Sequence, residues 1–289
     1  MTKPVRKAVL PVAGLGTRVL PGAKTTPKNM LNIFDRPILS YVVEEARAAG
    51  IEHIVFVTGR GQGAIEDYFD ANPEIENALE AKGKTDILAE VRADLPIPGG
   101  MSFVRQMAPL GLGHAVWCAR HIIGDEPFAV MLPDMLMAAD TPALAQAVAS
   151  YEKVGGNIIA VEPCPDGEAH KYGIVALDGQ DGRLNRMTGM VEKPAPGTEP
   201  SNLFISGRYI LQPEIFDLLE RQGKGAGGEI QLTDGMVQLM KSQTFHALEY
   251  EGITYDCGDK IGLLRANVAF ALRRPEFADA ARAAIQALL

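Results

Sequence analysis

Short runs of consecutive apolar residues alternate, through the first half of the chain, with longer stretches whose apolar residues recur every three or four positions. Residues 7–13, 53–58, 101–105, 128–132 and 157–162 are apolar runs too short for buried helices and read as strands. Between them, 38–49 places Leu39, Val42, Val43 and Ala46 on one helical face and stops at Gly50. Segments 62–69, 113–121 and 141–154 read as further helices, the last with Thr141 as cap and Pro142 in its first turn. Continuous apolar strands separated by helices predict an α/β domain, with a mostly parallel sheet covered by helices on both faces.

The second half is less regular. Segments 174–177, 187–192 and 203–211 read as strands between polar turns, and 213–220 and 230–241 as helices. Two closing helices are expected at 261–272 and 276–289, divided at Pro275. The polar stretch 82–98 reads as an inserted flap, and the glycine-rich tract 223–228 as a loop within the domain. No internal repeat is visible. One domain over 1–289 is expected, with halves of about 1–135 and 136–289.

Composition narrows the function. With 289 residues and 47% hydrophobic content the chain can bury a large core. A net charge of −8 disfavours a general nucleic-acid or anionic-membrane binder. Cys118, Cys164 and Cys257 are odd in number and lack CxxC spacing, so neither a disulfide framework nor a zinc site is expected. No apolar stretch approaches a membrane span; the densest, 128–137, contains Pro133 and Asp134. The basic start (Lys3, Arg6, Lys7) is not followed by a signal-peptide core. A cytoplasmic protein is the expectation.

The candidate chemistry begins where the first strand ends. Gly14 and Gly16 are followed by Thr17, Arg18 and the lysines Lys24 and Lys28. Glycines let backbone N–H groups approach phosphate oxygens, and the cations neutralise charge. Neither a Walker A loop nor a dinucleotide fingerprint fits, because Val19 stands where each requires another residue. The second signal is Arg105-Gln106 followed by Gly111-Leu112-Gly113-His114. Gln106 can donate and accept together, which suits a nucleobase edge, while His114 reads as structural or phosphate-side rather than as a general base. Third, Asp134 directly follows a buried strand, and Asp256 in Tyr255-Asp256-Cys257-Gly258 has the same character. Two such carboxylates brought together could hold one or two metal ions, of which Mg²⁺ suits carboxylate and phosphate oxygens. Fourth, Glu192-Lys193-Pro194 closes a strand, downstream of Lys171-Tyr172-Gly173; its carboxylate suits sugar hydroxyls and its lysine a sugar phosphate. Thr233 and Asp234, in the run from Gly228 to Asp234, read as structural polar groups at a helix start.

These motifs, in this order, resemble the sugar-1-phosphate nucleotidyltransferases. GLGTR, LPD and EKP mark the broad group; GLGHAV, GEIQLTD and YDCG point to its bacterial UTP–glucose-1-phosphate uridylyltransferase branch. The resemblance covers nearly the whole chain. It departs at Asn29, where PKEM would place Glu. It implies a Rossmann-like fold, a nucleotide-binding first half, a sugar-binding second half, and transfer of a uridylyl group from UTP to glucose 1-phosphate with Mg²⁺. By motif, Ala13, Gly14, Gln106 and Gly111 would hold the base. Gly16, Thr17 and Arg18 would line the triphosphate, Lys28 would contact phosphate at the reacting centre, and Asp134 and Asp256 would bind Mg²⁺. Gly173, Glu192 and Lys193 would bind the sugar phosphate, with Gly207 and Arg208 bordering the sugar. A homo-oligomer, dimer or tetramer, is also implied. Other nucleotides, dTTP or ATP, another sugar phosphate, and a non-catalytic nucleotide-sugar sensor remain open alternatives.

Overall fold

The apolar run after Arg6 forms strand β1 (Lys7–Pro11), with Ala8, Val9 and Leu10 wholly removed from solvent. The computed structural model describes residues 2–225 and 228–288. A long turn leads through the hairpin β2 (Asn32–Ile33) and β3 (Arg36–Pro37) into helix α1 (Ile38–Ala48). Then come β4 (His53–Thr58), α2 (Gly63–Phe69), α3 (Pro73–Ala81), α4 (Thr85–Ala93) and β5 (Met101–Arg105). Helices α5 (Leu112–Cys118) and α6 (Arg120–Ile123) return the chain to β6 (Phe128–Met131), and β7 (Met135–Ala138) follows a turn. The second half contributes α7 (Ala143–Val154), β8 (Asn157–Pro163), β9 (Gly173–Leu177), β10 (Leu184–Glu192) and β11 (Leu203–Leu211). It closes with α8 (Ile215–Arg221), α9 (Leu232–Leu239), β12 (Phe245–Glu249), β13 (Ile253–Asp256), α10 (Lys260–Arg273) and α11 (Ala278–Gln286).

Nine strands form the main sheet, in the order β5-β4-β1-β6-β11-β8-β12-β10-β9. β1 lies parallel between β4 and β6, β5 extends β4 in parallel, and β12 runs parallel to β8. Only β11 and β10 run against the rest. The strands alternate their side chains between two cores. Ala8, Leu10, Ile54 and Phe56 pack on the side of α1 and α7; Val9, Val55 and Val57 pack on the side of α5, α8 and α9. Burial on both faces explains why these strands read as continuous apolar runs. The result is an α/β, Rossmann-like mixed sheet with helices on both faces.

Several boundaries differ from expectation. Helix α7 starts at Ala143 rather than 141: Pro142 is its extended-ψ cap residue, and Thr141 makes no capping bond. The helix expected over 113–121 is interrupted at Ala119. The flap 82–98 contains α4, and α3 precedes it. This hairpin is held by ion pairs from Arg92 to Glu76 and Glu80 more than by apolar burial, so it leaves little hydrophobic signature. It is tethered below by Asp94, whose Oδ2 accepts from Ser40 and Tyr68 at 2.6 Å each. Strands β7, β12 and β13 were not legible. Residues 226 and 227 of the glycine-rich tract, and Leu289 of the last helix, lie outside the described residues.

Candidate active site

From β1 the chain moves outward to β4 and β5 on one side, and later reaches β6 on the other. A crevice therefore opens at the carboxyl ends of β1 and β6, where open α/β sheets bind ligands. The loop leaving β1 carries Ala13, Gly14, Gly16, Thr17 and Arg18, and the turn leaving β6 carries Asp134. Gln62 pins the first loop at its root: its Nε2 donates to the Val12 carbonyl at 2.6 Å, while its Oε1 accepts from the Gly59 N–H at 2.7 Å.

The loop does not run straight into a helix but folds back through short 3₁₀ turns. Gly16 turns with φ +64°, and a Cβ there would lie 2.9 Å from Cβ of Lys28. Glycine is thus required for the loop to close over that lysine. The N–H groups from Gly14 to Arg18 donate to no described residue, so they are free to meet a ligand. Thr17 and Arg18 are exposed beside it, as is Lys24. Lys28 is largely buried and donates from Nζ to Asp134 Oδ2 at 2.6 Å.

Asp134 and Asp256 are 122 residues apart in the chain and meet through the ribbon of β7 and β13, in which Met135 faces Asp256. The Cys257 N–H locks the ribbon end by donating to the Asp134 carbonyl at 2.7 Å. Arg18 Nη1 approaches Asp256 Oδ2 at 3.7 Å, and a Cβ at Gly258 would strike the same guanidinium. Burial alone would raise the Asp134 carboxyl, but the charge and hydrogen bond of Lys28, helped by Arg18, hold it below the ordinary aspartate range. Burial raises Asp256; the Gly258 N–H opposes the rise, and the like charge of Asp134 adds to it. Both carboxylates line a cavity of about 800 Å³ with Arg18, Tyr172 and Glu162. Two hard oxygen donors whose charges repel, on the wall of an open cavity, fit a divalent cation completed by water and phosphate.

On the other side of the crevice, the Gln106 N–H continues from β5 by donating to the Thr58 carbonyl at 2.8 Å, and its side chain is buried. Gln106 Nε2 donates to the Gly111 carbonyl at 3.0 Å and lies 3.1 Å from His114 Nδ1. Gly111 has φ +106°, and a Cβ there would lie 2.8 Å from both Glu229 Cβ and the Ile230 carbonyl. The segment before α9 packs this closely because Ile230 donates to the Leu110 carbonyl and accepts from the Gly113 N–H.

A second cavity, of about 170 Å³, joins the first along Leu132, Met135, Lys171 and Tyr172. Gly173, Glu192 and Lys193 line it. A Cβ at Gly173 would lie 3.2 Å from Glu192 Oε2, so glycine leaves that carboxylate room. Thr233 Oγ1 donates to the same Oε2 at 2.9 Å. Lys193 sits at φ +48°, a left-handed conformation costly for a side-chain-bearing residue, and its N–H donates to the Tyr172 carbonyl. Its amine is exposed, 3.6 Å from Glu192 Oε1. Gly207, at φ +91°, packs on Leu132 and Met135 beneath the cavities. Arg208 lines neither cavity. It is fully buried and forked onto Glu45 of α1, at 3.0 and 2.7 Å, with a third bond of 2.9 Å to the Leu132 carbonyl.

This assembly can be set beside known proteins. The family model for nucleotidyl transferases matches residues 7–271. The chain belongs to the nucleotidyl transferase family. Within that family it groups with the UTP–glucose-1-phosphate uridylyltransferases. It is 50% identical to one from Bacillus subtilis (strain 168) over 96% of this chain and 94% of that protein. It is 46% identical to one from Staphylococcus epidermidis (strain ATCC 12228 / FDA PCI 1200), over 99% of both. Among solved structures it resembles a UTP-bound UGPase from Acinetobacter baumannii, with TM-score 0.92, 42% identity, and coverage of 99% of this chain and 100% of that one. It also resembles a UDP-glucose pyrophosphorylase complexed with UDP-glucose, with TM-score 0.83, 38% identity, and coverage of 93% and 100%.

For this nucleotidyl transferase, the sequence motifs locate the two loops and the two strand ends that meet at the crevice. They do not disclose the residues that hold those loops. Thr233, read as structural, reaches the Glu192 carboxylate from 41 positions away. Gln62 and Tyr172 act through backbone groups of the first loop and of Lys193. Of the glycines in GRGQG, Gly59 packs against the first loop, where a Cβ would lie 3.2 Å from the Ala13 carbonyl oxygen.

Proposed function

We propose that this chain transfers a uridylyl group from UTP to glucose 1-phosphate, giving UDP-glucose and pyrophosphate. The observation that carries the reading is the loop from Gly14 to Arg18 folded over the Lys28–Asp134 pair, at the mouth of a cavity large enough for a nucleotide and a sugar phosphate. The names of the relatives support the choice of substrates. The orientation of Gln106 supports the choice of base. Its amide protons are taken by the Gly111 carbonyl and His114, so Oε1 is left to accept from uracil N3–H. Cytosine and adenine offer an acceptor nitrogen at that edge. Thymine offers the same N–H, and guanine offers N1–H on a larger ring, so dTTP is the nearest competing nucleotide.

In this reading an oxygen of the glucose 1-phosphate phosphate attacks the α-phosphorus of UTP in line. The new P–O bond forms as the bond to the β-phosphate oxygen breaks and pyrophosphate leaves. The nucleophile is already anionic, so no general base is required, and positioning and charge neutralisation supply the catalysis. The loop N–H groups, Thr17 and Arg18 hold the triphosphate, with Arg18 beside the departing pyrophosphate. Lys28 serves the α-phosphate, Lys193 the sugar phosphate, and Gly173 and Glu192 the sugar hydroxyls. Mg²⁺, held by Asp134 and Asp256, supplies further charge neutralisation when bound.

A cytoplasmic homo-oligomer belongs to the same reading. It is supported by three free cysteines and by the exposed Ile253, Ile261 and Leu264 around the start of α10. Among the described residues no helix is long and apolar enough to cross a membrane.

The test is pyrophosphate release with Mg²⁺ and glucose 1-phosphate, using UTP, dTTP, ATP, CTP and GTP in turn. UTP is expected to be strongly preferred. Asp134→Ala is expected to lose on the order of 100-fold or more, as for other lost transition-state contacts of about 3 kcal/mol. Preference for another nucleotide would overturn the substrate. No release from a protein that binds UDP-glucose would favour a sensor.

A further inference from the structure

A glutamine amide can present either its oxygen or its NH₂ to a base, and the two faces select opposite partners. The ring of His114 touches this choice directly. Gln106 Nε2 lies 3.0 Å from the Gly111 carbonyl and 3.1 Å from His114 Nδ1, so each amide proton has one acceptor. We propose that His114 is a positioning residue for base selection, which with the Gly111 carbonyl consumes both Gln106 donors and leaves only Oε1 to face the nucleotide. The inference rests on the nucleotide reading of the crevice given above. With His114 in its Nε2–H tautomer, a flipped amide would set Oε1 against two lone pairs, one on Gly111 and one on His114, and would leave its NH₂ toward the base.

The ring is held for this task. It stacks on Trp117 with centroids 5.7 Å apart, and the Arg120 guanidinium lies over the Trp117 ring, 3.5 Å from its centroid. Residues 114, 117 and 120 recur every third position, so one row along the α5–α6 turn fixes the imidazole plane. Burial, with the nearby Arg120 charge, lowers the His114 pKa and favours the neutral ring, which in its Nε2–H tautomer carries a lone pair on Nδ1. The Cys118 thiol, 3.9 Å from the same nitrogen, is its other polar neighbour. The tautomer consistent with these contacts carries its proton on Nε2.

The outcome is a site that favours bases with an N–H at the reading edge (uracil and thymine) over those with an acceptor there (cytosine and adenine). The test compares kcat/KM for UTP and CTP in the wild type, His114→Leu and His114→Asn. Loss of one hydrogen bond predicts that His114→Leu lowers the UTP:CTP ratio about tenfold, mainly through KM for UTP. His114→Asn offers Oδ1 as acceptor and is expected to restore the ratio. An unchanged ratio in His114→Leu, or an equal fall for both nucleotides, overturns the proposal. Nitrogen NMR of ¹⁵N-histidine-labelled wild type checks it without relying on a variant: an Nε2–H tautomer at His114 is expected, and an Nδ1–H tautomer overturns it. Failure of the wild type to use glucose 1-phosphate would sink the reaction but not this inference, because calorimetric UTP and CTP binding still reads the discrimination. Binding of neither nucleotide would overturn both.

Discussion

Arg208 is a fully buried cation with three charge-assisted bonds, two to Glu45 and one to the Leu132 carbonyl. Glu45 also accepts from the Leu144 N–H at 3.0 Å, so the pair joins α1, α7 and β11 to the turn that presents Asp134. Arg208→Met leaves the Glu45 carboxylate buried and uncompensated, which should cost about 3–5 kcal/mol. Glu45→Met should cost a similar amount by stranding the guanidinium. The double variant removes both charges and is expected to recover most of the loss, so the two single costs should be strongly non-additive. Equilibrium urea unfolding, followed by circular dichroism with the denaturant slope checked for constancy, measures all three. Activity separates the two roles of the arginine. The double variant still lacks the bond to the Leu132 carbonyl, so kcat/KM should stay about tenfold low while stability returns, as expected for one missing hydrogen bond of roughly 1.4 kcal/mol. A single-variant cost below about 1 kcal/mol, or additive costs in the double variant, would mean that the two buried charges do not compensate each other.

Thr233→Val removes a hydrogen bond to a carboxylate, worth roughly 1.5–3 kcal/mol, and should raise KM for glucose 1-phosphate at least about tenfold while KM for UTP holds steady; initial-rate kinetics against each substrate check this. Asp256 is raised in the folded state, so its charge opposes folding above that raised value, and the penalty disappears below the ordinary aspartate pKa of about 3.9. Asp256→Asn should therefore be more stable than wild type at pH 7 without Mg²⁺, with the gain shrinking as pH falls, and should lose turnover; thermal melts across pH would show the opposite slope if the sign is wrong. Asn29 is wholly buried, and neither amide atom has a hydrogen-bond partner among the described residues. Asn29→Leu should gain about 1 kcal/mol in urea unfolding, and a loss of stability would contradict that reading.

Some elements legible in the sequence are uniformly buried, whereas β5 and β10 were read from their apolar residues although not all of these are buried. All nine residues of β11 are buried, and β1, β4 and β6 are enclosed on both faces, so apolar runs sufficed to find them. The loop was legible at Gly16, where only glycine permits the approach to Lys28. The β7–β13 ribbon was not, since MLMA and ITYD are four residues each and acquire meaning only by pairing with each other across the chain. Arg208 was misplaced for a related reason. The register of β11 shifts between Ile205 and Tyr209, around the turn at Gly207, so counting alternate residues from either end does not tell which way Arg208 points. The helices α3 and α4 rest on ion pairs rather than on an apolar stripe, and periodicity passes over such helices.

In the proposed reaction the sugar phosphate attacks the α-phosphorus of UTP. The most direct test incubates the protein with Mg²⁺, glucose 1-phosphate and UTP labelled either at the α- or at the γ-phosphate, and separates the products. Label from the α-position should appear in UDP-glucose, and label from the γ-position in pyrophosphate. Transfer of γ-label to the sugar product, or release of α-label as free UMP with glucose 1-phosphate left intact, would contradict the account.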